Sequence, residues 1–153
     1  MTGRVTEACG NPQCMSRRTA HDVLKKAFEA AGLNGHHCAV CGFNVTLGDR
    51  LIAIEAAHIK WHSAEGPDIP RNGMALCALH HKLFDRGVFT LSDQLAIKVS
   101  EQVDPASPGF EEWLGRFKGR DIYFPSEPYL PDAAYVQWYT KQVFKGESAA
   151  GQS

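Results

Sequence analysis

The chain has no long apolar run: no stretch of its 153 residues approaches the roughly 18–20 apolar residues of a membrane span. It also lacks charge of one sign. Lys and Arg number 16 against 17 Asp and Glu, a formal net charge of −1. That excludes global basicity as the means of holding nucleic acid, so such a partner would need a local patch or a bound cation. The opening "MTGRVTEACGNPQC" has no apolar centre and is not expected to act as a signal peptide. There is no internal repeat, and the length suits one ordinary domain. Five cysteines, an odd number, argue against a closed disulfide framework. A leaderless chain with Cys-x-x-Cys and nearby histidines points instead to reduced metal ligands in the cytoplasm.

Hydrophobic residues make up 44% of the chain, enough for a core. Residues 1–16 are predicted to form a flexible arm, and residues 146–153 a disordered tail. Between them, 17–145 are read as one domain. "SRRTAHDVLKKAFEAAGL" places Val23, Leu24, Ala27, Phe28 and Ala31 on one helical face. Ser16 or Thr19 would cap this helix, and Gly32 would end it. "RLIAIEAAHI" suits a strand over 51–59. "KWHSAEGPDIPRNG" reads as a loop, and "MALCALHHKLFDRG" as a short strand becoming a helix that Gly87 stops. "VFTLSDQLAIKVS" suits a hairpin turning at Ser92–Gln94. Residues 104–109 read as a linker, and "FEEWLGRFKG" as a short amphipathic helix. "DAAYVQWYTKQVFKG" reads as a last helix. Leu83, Phe84, Trp113, Tyr135, Trp138 and Phe144 are taken as core.

Two ligand pairs stand out: Cys38-x-x-Cys41 in a glycine-rich knuckle, and Cys77-x-x-His80 at a helix start. Each spacing lets both side chains converge on one tetrahedral ion. Thiolate and imidazole are what zinc prefers. Four protein ligands close the shell, so this zinc would be structural and would tie the knuckle to the helix. Cys9 and Cys14 are read as free thiols.

With those ligands spent, His58 at a strand end, Asn72 in the loop and His81 on the helix remain. "EAAHI" followed by "RNGMALCALHHKLFDRG" resembles the HNH endonucleases of the ββα-metal type, in particular the HNH domains of modification-dependent restriction enzymes. The motif core spans 38–91. The resemblance implies an α+β fold: a zinc-stapled ββα-metal (His-Me finger) core with flanking helices. It also implies metal-dependent hydrolysis of DNA phosphodiester bonds, in restriction or phage defence.

A base that deprotonates water near neutral pH suits histidine, and His58 is the candidate. His81, about 100° round the helix from His80, can face a second, catalytic cation, Mg²⁺ or Mn²⁺, with Ni²⁺ and Co²⁺ as further options. Asn72 would hydrogen-bond loop backbone and orient His58. Many of these nucleases carry Asp or His just before the base, where this chain has Ala57. Glu55, on the same side of the strand, is the candidate replacement ligand, with His62 an outside choice. Lys60, Arg71, Lys82 and Arg86 are candidates for phosphate contacts, the last weighed against a simple Asp85–Arg86 pair. His36 and His37 read as solvated or turn residues. DNA is the expected partner, with a homodimer or a separate target-recognition protein compatible with the absence of a visible reader domain. The rival readings are a non-catalytic zinc module binding nucleic acid or protein, and a nuclease acting on RNA.

Overall fold

The computed structural model describes residues 17–30, 37–123 and 129–146. The predicted arm, Cys9, Cys14, Ser16, Gly32, His36 and almost all of the predicted tail lie outside them. The first helix, α1 (Arg17–Ala30), already includes Thr19, which is therefore inside the helix and not its cap. Its buried Leu24 and Phe28 pack against Ala56.

The predicted strand over 51–59 is two strands. Ala53 takes a left-handed conformation, φ 57°, which breaks the extended run. On one side β2 (Arg50–Ile52) pairs antiparallel with β1 (Val45–Leu47). On the other β3 (Ile54–His58) pairs antiparallel with β4 (Gly73–Cys77), with His58 opposite Gly73 and Ile54 opposite Cys77. An alternating pattern alone cannot show such a break, because the residues on both sides keep their strand character.

Directly after β4 comes α2 (Ala78–Asp85), with Cys77 as its cap: the sulfur accepts the backbone N–H of His80. Gly87, at φ 74°, ends the turn as the sequence predicts. The hairpin of β5 (Phe89–Leu91) and β6 (Ile97–Val99) follows, then α3 (Phe110–Trp113) and α4 (Ala133–Gln142). The short helix expected around residue 113 is only α3, continued by a tighter turn at Gly115–Phe117. Trp113 is 43% exposed and is not core, unlike Phe117.

The core lies between the β3–β4 hairpin, α2, the β5–β6 hairpin and α4. At its centre the Tyr139 ring stacks on Phe84, with centroids 4.0 Å apart and planes 7° apart. The Tyr139 hydroxyl faces two backbone carbonyls, Phe84 O at 2.6 Å and Phe89 O at 2.9 Å. One buried phenol thus ties the end of α2 to the start of β5. Burial raises the phenol pKa, so the hydroxyl keeps its proton to donate.

Candidate active site

The knuckle places the first ligand pair. Gly42 N–H bonds to Cys38 O, and Cys38 N–H to Phe43 O, closing a tight turn around Cys38 and Cys41. Ala39 N–H bonds to Ala75 O, which fastens that turn to β4 beside Cys77. The four donor atoms of Cys38, Cys41, Cys77 and His80 lie within 4.8 Å of one another. Cys41 Sγ is 3.9 Å from Cys77 Sγ, and His80 Nδ1 is 3.7 Å from Cys38 Sγ and 3.2 Å from Cys77 Sγ. Tetrahedral zinc, with bonds of about 2.3 Å to sulfur and 2.0–2.1 Å to nitrogen, sets its donors about 3.5–3.8 Å apart. The set fits.

Its ring orientation is fixed from behind. His80 Nε2 lies 2.8 Å from the carbonyl oxygen of Trp113, the last residue of α3. A helix-end carbonyl has no partner within its own helix. It accepts the Nε2–H, and the Nδ1 lone pair is left facing the sulfurs. The thiols also compete for charge. Cys38 is lowered to about 3, first by the hydrogen bond from Cys77 and against the cost of burial. Cys77 is pushed up by donating to Cys38, and Cys41 by burial. Three clustered sulfurs cannot all be thiolates alone, and a cation among them removes that conflict.

On the other side of α2 stands His81, 5% exposed. Its Nδ1 is 2.7 Å from Glu55 Oε1, and its Nε2 is 3.8 Å from Asp85 Oδ1. The structure thus brings Glu55 to His81 as the strand face suggests. Asp85 also turns toward this histidine. Cation ligands on one ion sit about 3 Å apart or more, so an ion between Glu55 and His81 would part them by a few tenths of an ångström.

His58, also 5% exposed, ends β3. Its Nε2 is 2.7 Å from Asp68 Oδ1, a residue the sequence reading passed over. Asp68 is also 3.9 Å from His62 Nδ1. Burial lowers the pKa of His58, the hydrogen bond and charge of Asp68 work against this, and the neighbouring His62 and His81 rings add to the lowering.

Asn72 is completely buried. Its side chain clamps the loop beyond His58. Asn72 Oδ1 accepts Lys60 N–H at 2.8 Å, and Nδ2 donates to Lys60 O at 3.0 Å and Pro67 O at 2.9 Å. Gly66 packs directly over the Lys60 carbonyl, where any Cβ would collide. The loop is thereby closed on itself, and Asp68 is carried back toward His58. Of the basic candidates, Lys82 and Arg86 are exposed and Lys60 is half-buried. Arg71 lies 3.5 Å from Asp132, a partner the sequence did not suggest. His37 is exposed, and its Nδ1 is 3.1 Å from Gly42 O.

Residues 38–92 match the family model of the HNH endonucleases. Over this segment the chain is similar to that family. The fold agrees: the structure of a modification-dependent restriction endonuclease, TagI, superposes with a TM-score of 0.56 over 80% of this chain, at 22% identity. The chain spans 37% of that protein. No curated protein matches the sequence. The HNH fold is therefore a ββα-metal core of β3, β4 and α2, with a Cys₃His cluster able to hold a metal at the start of the helix. Among the described residues no helix is long and apolar enough to cross a membrane.

Proposed function

We propose that this HNH chain is a metal-dependent endonuclease that hydrolyses DNA phosphodiester bonds, in a restriction or phage-defence setting. The observation that carries it is the pair of buried imidazoles, His58 and His81, each tied to a carboxylate within the matched segment. His58 acts as the general base. Its lowered pKa keeps the ring neutral near neutral pH, the state that can take a proton from water. Asp68 holds the ring and stabilises the imidazolium that forms. Asn72 acts as a positioning residue through the loop it clamps.

His81 and Glu55 would hold the divalent cation, Mg²⁺ or Mn²⁺, with Ni²⁺ and Co²⁺ as further options. Once bound, the cation neutralises charge on the scissile phosphate and its leaving oxygen. Lys60, Lys82 and Arg86 would contact phosphates, with Arg71 joining them after leaving Asp132. The zinc held by Cys38, Cys41, Cys77 and His80 is structural, and its reduced thiols suit the cytoplasm. One domain over 17–145 carries these parts; DNA targeting comes from a second copy or a separate recognition protein.

The test is cleavage of plasmid DNA and a matched RNA in Mg²⁺ and Mn²⁺ by the wild type and His58→Ala. The expected result is DNA cleavage that falls about 10²–10⁴-fold in the variant, with zinc content and melting unchanged. Cleavage of RNA alone would reassign the substrate. A wild type without nuclease activity on either would leave a binding module.

A further inference from the structure

His62 is used by neither proposed metal, yet it stands beside the base. His58, His62 and Asp68 offer three donor atoms within 4.8 Å of one another. Asp68 Oδ1 lies 2.7 Å from His58 Nε2 and 3.9 Å from His62 Nδ1. The two rings meet edge to face, centroids 6.2 Å apart. His62 Nδ1 is shielded from solvent and has no hydrogen-bond partner. A shielded ring nitrogen without a partner is costly, and its cost is removed by a proton or a metal.

We propose that His58, His62 and Asp68 form a separate site for a zinc- or nickel-class cation, and that filling it occupies the general base and shuts the nuclease off. The inhibitory half of this rests on the role given to His58 above; the binding half does not. Two imidazoles and one carboxylate suit zinc, nickel or cobalt, whereas magnesium prefers oxygen ligands and keeps its water. Donors on a tetrahedral zinc sit about 3.3 Å apart, so both of these separations need to change by only about 0.6 Å. Such movement is available. The His62 side chain is 29% exposed and that of Asp68 23% exposed, so neither is locked in the core. The backbone beneath them is fixed. His62 begins a short turn closed by Glu65 N–H to His62 O, and Asn72 fixes the loop at Lys60 and Pro67. The ligands are therefore presented by a preformed loop, which lowers the ordering cost of binding.

The site is distinct from the thiolate cluster in chemistry as well as place. It has nitrogen and oxygen donors alone, so Co²⁺ there would show weak visible bands without the strong near-ultraviolet sulfur charge transfer of a cysteine site.

The experiment uses the full chain with its structural zinc already bound. Zn²⁺ is titrated calorimetrically and Co²⁺ spectroscopically into the wild type, His62→Ala and Asp68→Asn. DNA cleavage in constant Mg²⁺ is then followed as Zn²⁺ rises. The expected result is one further equivalent bound per wild-type chain, with affinity falling at least tenfold in both variants. Cleavage by the wild type should fall as that equivalent fills. His62→Ala should cut normally without added Zn²⁺ and should need at least tenfold more Zn²⁺ for inhibition. A wild type that takes up no further equivalent, or a His62→Ala protein that binds it equally well, overturns the site. Zn²⁺ that stimulates cleavage on filling the site overturns the inhibitory role. A protein that cuts nothing in any metal sinks the nuclease reading, and the titrations still decide whether the site exists.

Discussion

His80 and His81 are neighbours on α2, yet they serve opposite sides of it: His80 Nδ1 lies 3.2 Å from Cys77 Sγ, and His81 Nδ1 lies 2.7 Å from Glu55 Oε1. Successive helical residues point about 100° apart, so the two rings cannot easily converge on one tetrahedral ion. His80→Ala is predicted to lose zinc and lower the melting temperature. His81→Ala is predicted to keep both and lose cleavage in Mg²⁺ or Mn²⁺. Metal analysis, melting and plasmid cleavage on the two proteins check this. Equal zinc loss in both, or cleavage by His81→Ala, would show the division of the pair to be wrong.

Zinc itself is predicted at about one per chain in protein purified without added metal. Cys41→Ser removes one of four ligands from a closed shell and should lose both the zinc and the cooperative melt. Mild chelation should stop cleavage before it strips this zinc, because the Cys₃His cluster is largely buried while Glu55 is half exposed. Added Mg²⁺ should then restore activity. A cooperative, zinc-free wild type would refute the structural role.

Glu55→Gln keeps the shape of the side chain and removes its charge. The Glu55 side chain is 50% exposed, so little stability should be lost. If Glu55 shares the cation with His81, the Mg²⁺ concentration for half-maximal cleavage should rise, by roughly tenfold for each 1.4 kcal/mol of lost binding. An unchanged Mg²⁺ requirement would return Glu55 to the role of a hydrogen-bond partner for His81.

The parts of this molecule that the sequence disclosed are the ones encoded at short range. Cys38-x-x-Cys41 and Cys77-x-x-His80 are local spacings, and the structure brings both pairs together. The strand-to-helix passage around Cys77 and the stop at Gly87 are local as well. What escaped depends on contacts between distant segments. Asp68 reaches His58 only because Asn72 folds the loop back, and a loop aspartate carries no periodicity to betray that. The carbonyl of Trp113 orients His80 across 33 residues, through a backbone atom that every residue possesses. Ala53 breaks a strand at a position where alanine is an ordinary strand residue and the left-handed turn is imposed from outside.

Tyr139→Phe is predicted to leave the Phe84 stack intact and to cost about 1–3 kcal/mol, because two buried carbonyls lose their shared donor. Denaturant unfolding measures that loss, and cleavage by the folded fraction should be unchanged. A neutral substitution would mean that Phe84 O and Phe89 O find other donors.

Asn72 tests whether the loop clamp supports the chemistry. Asn72→Ala leaves Lys60 N–H, Lys60 O and Pro67 O without their side-chain partner in a buried setting. Each abandoned buried group costs about 1–3 kcal/mol, so the melting temperature should fall clearly. The slackened loop should no longer hold Asp68 at His58, and cleavage by the folded fraction should fall with it. Asn72→Asp separates the clamp from mere volume. It keeps the acceptor for Lys60 N–H, but replaces the Nδ2 donor with a carboxylate oxygen facing two carbonyls. Repulsion there predicts a protein no more stable than Asn72→Ala, and no more active. Melting curves and plasmid cleavage in Mg²⁺ on both variants provide the check, and full activity in either would show that the clamp is dispensable for holding His58 and Asp68 together.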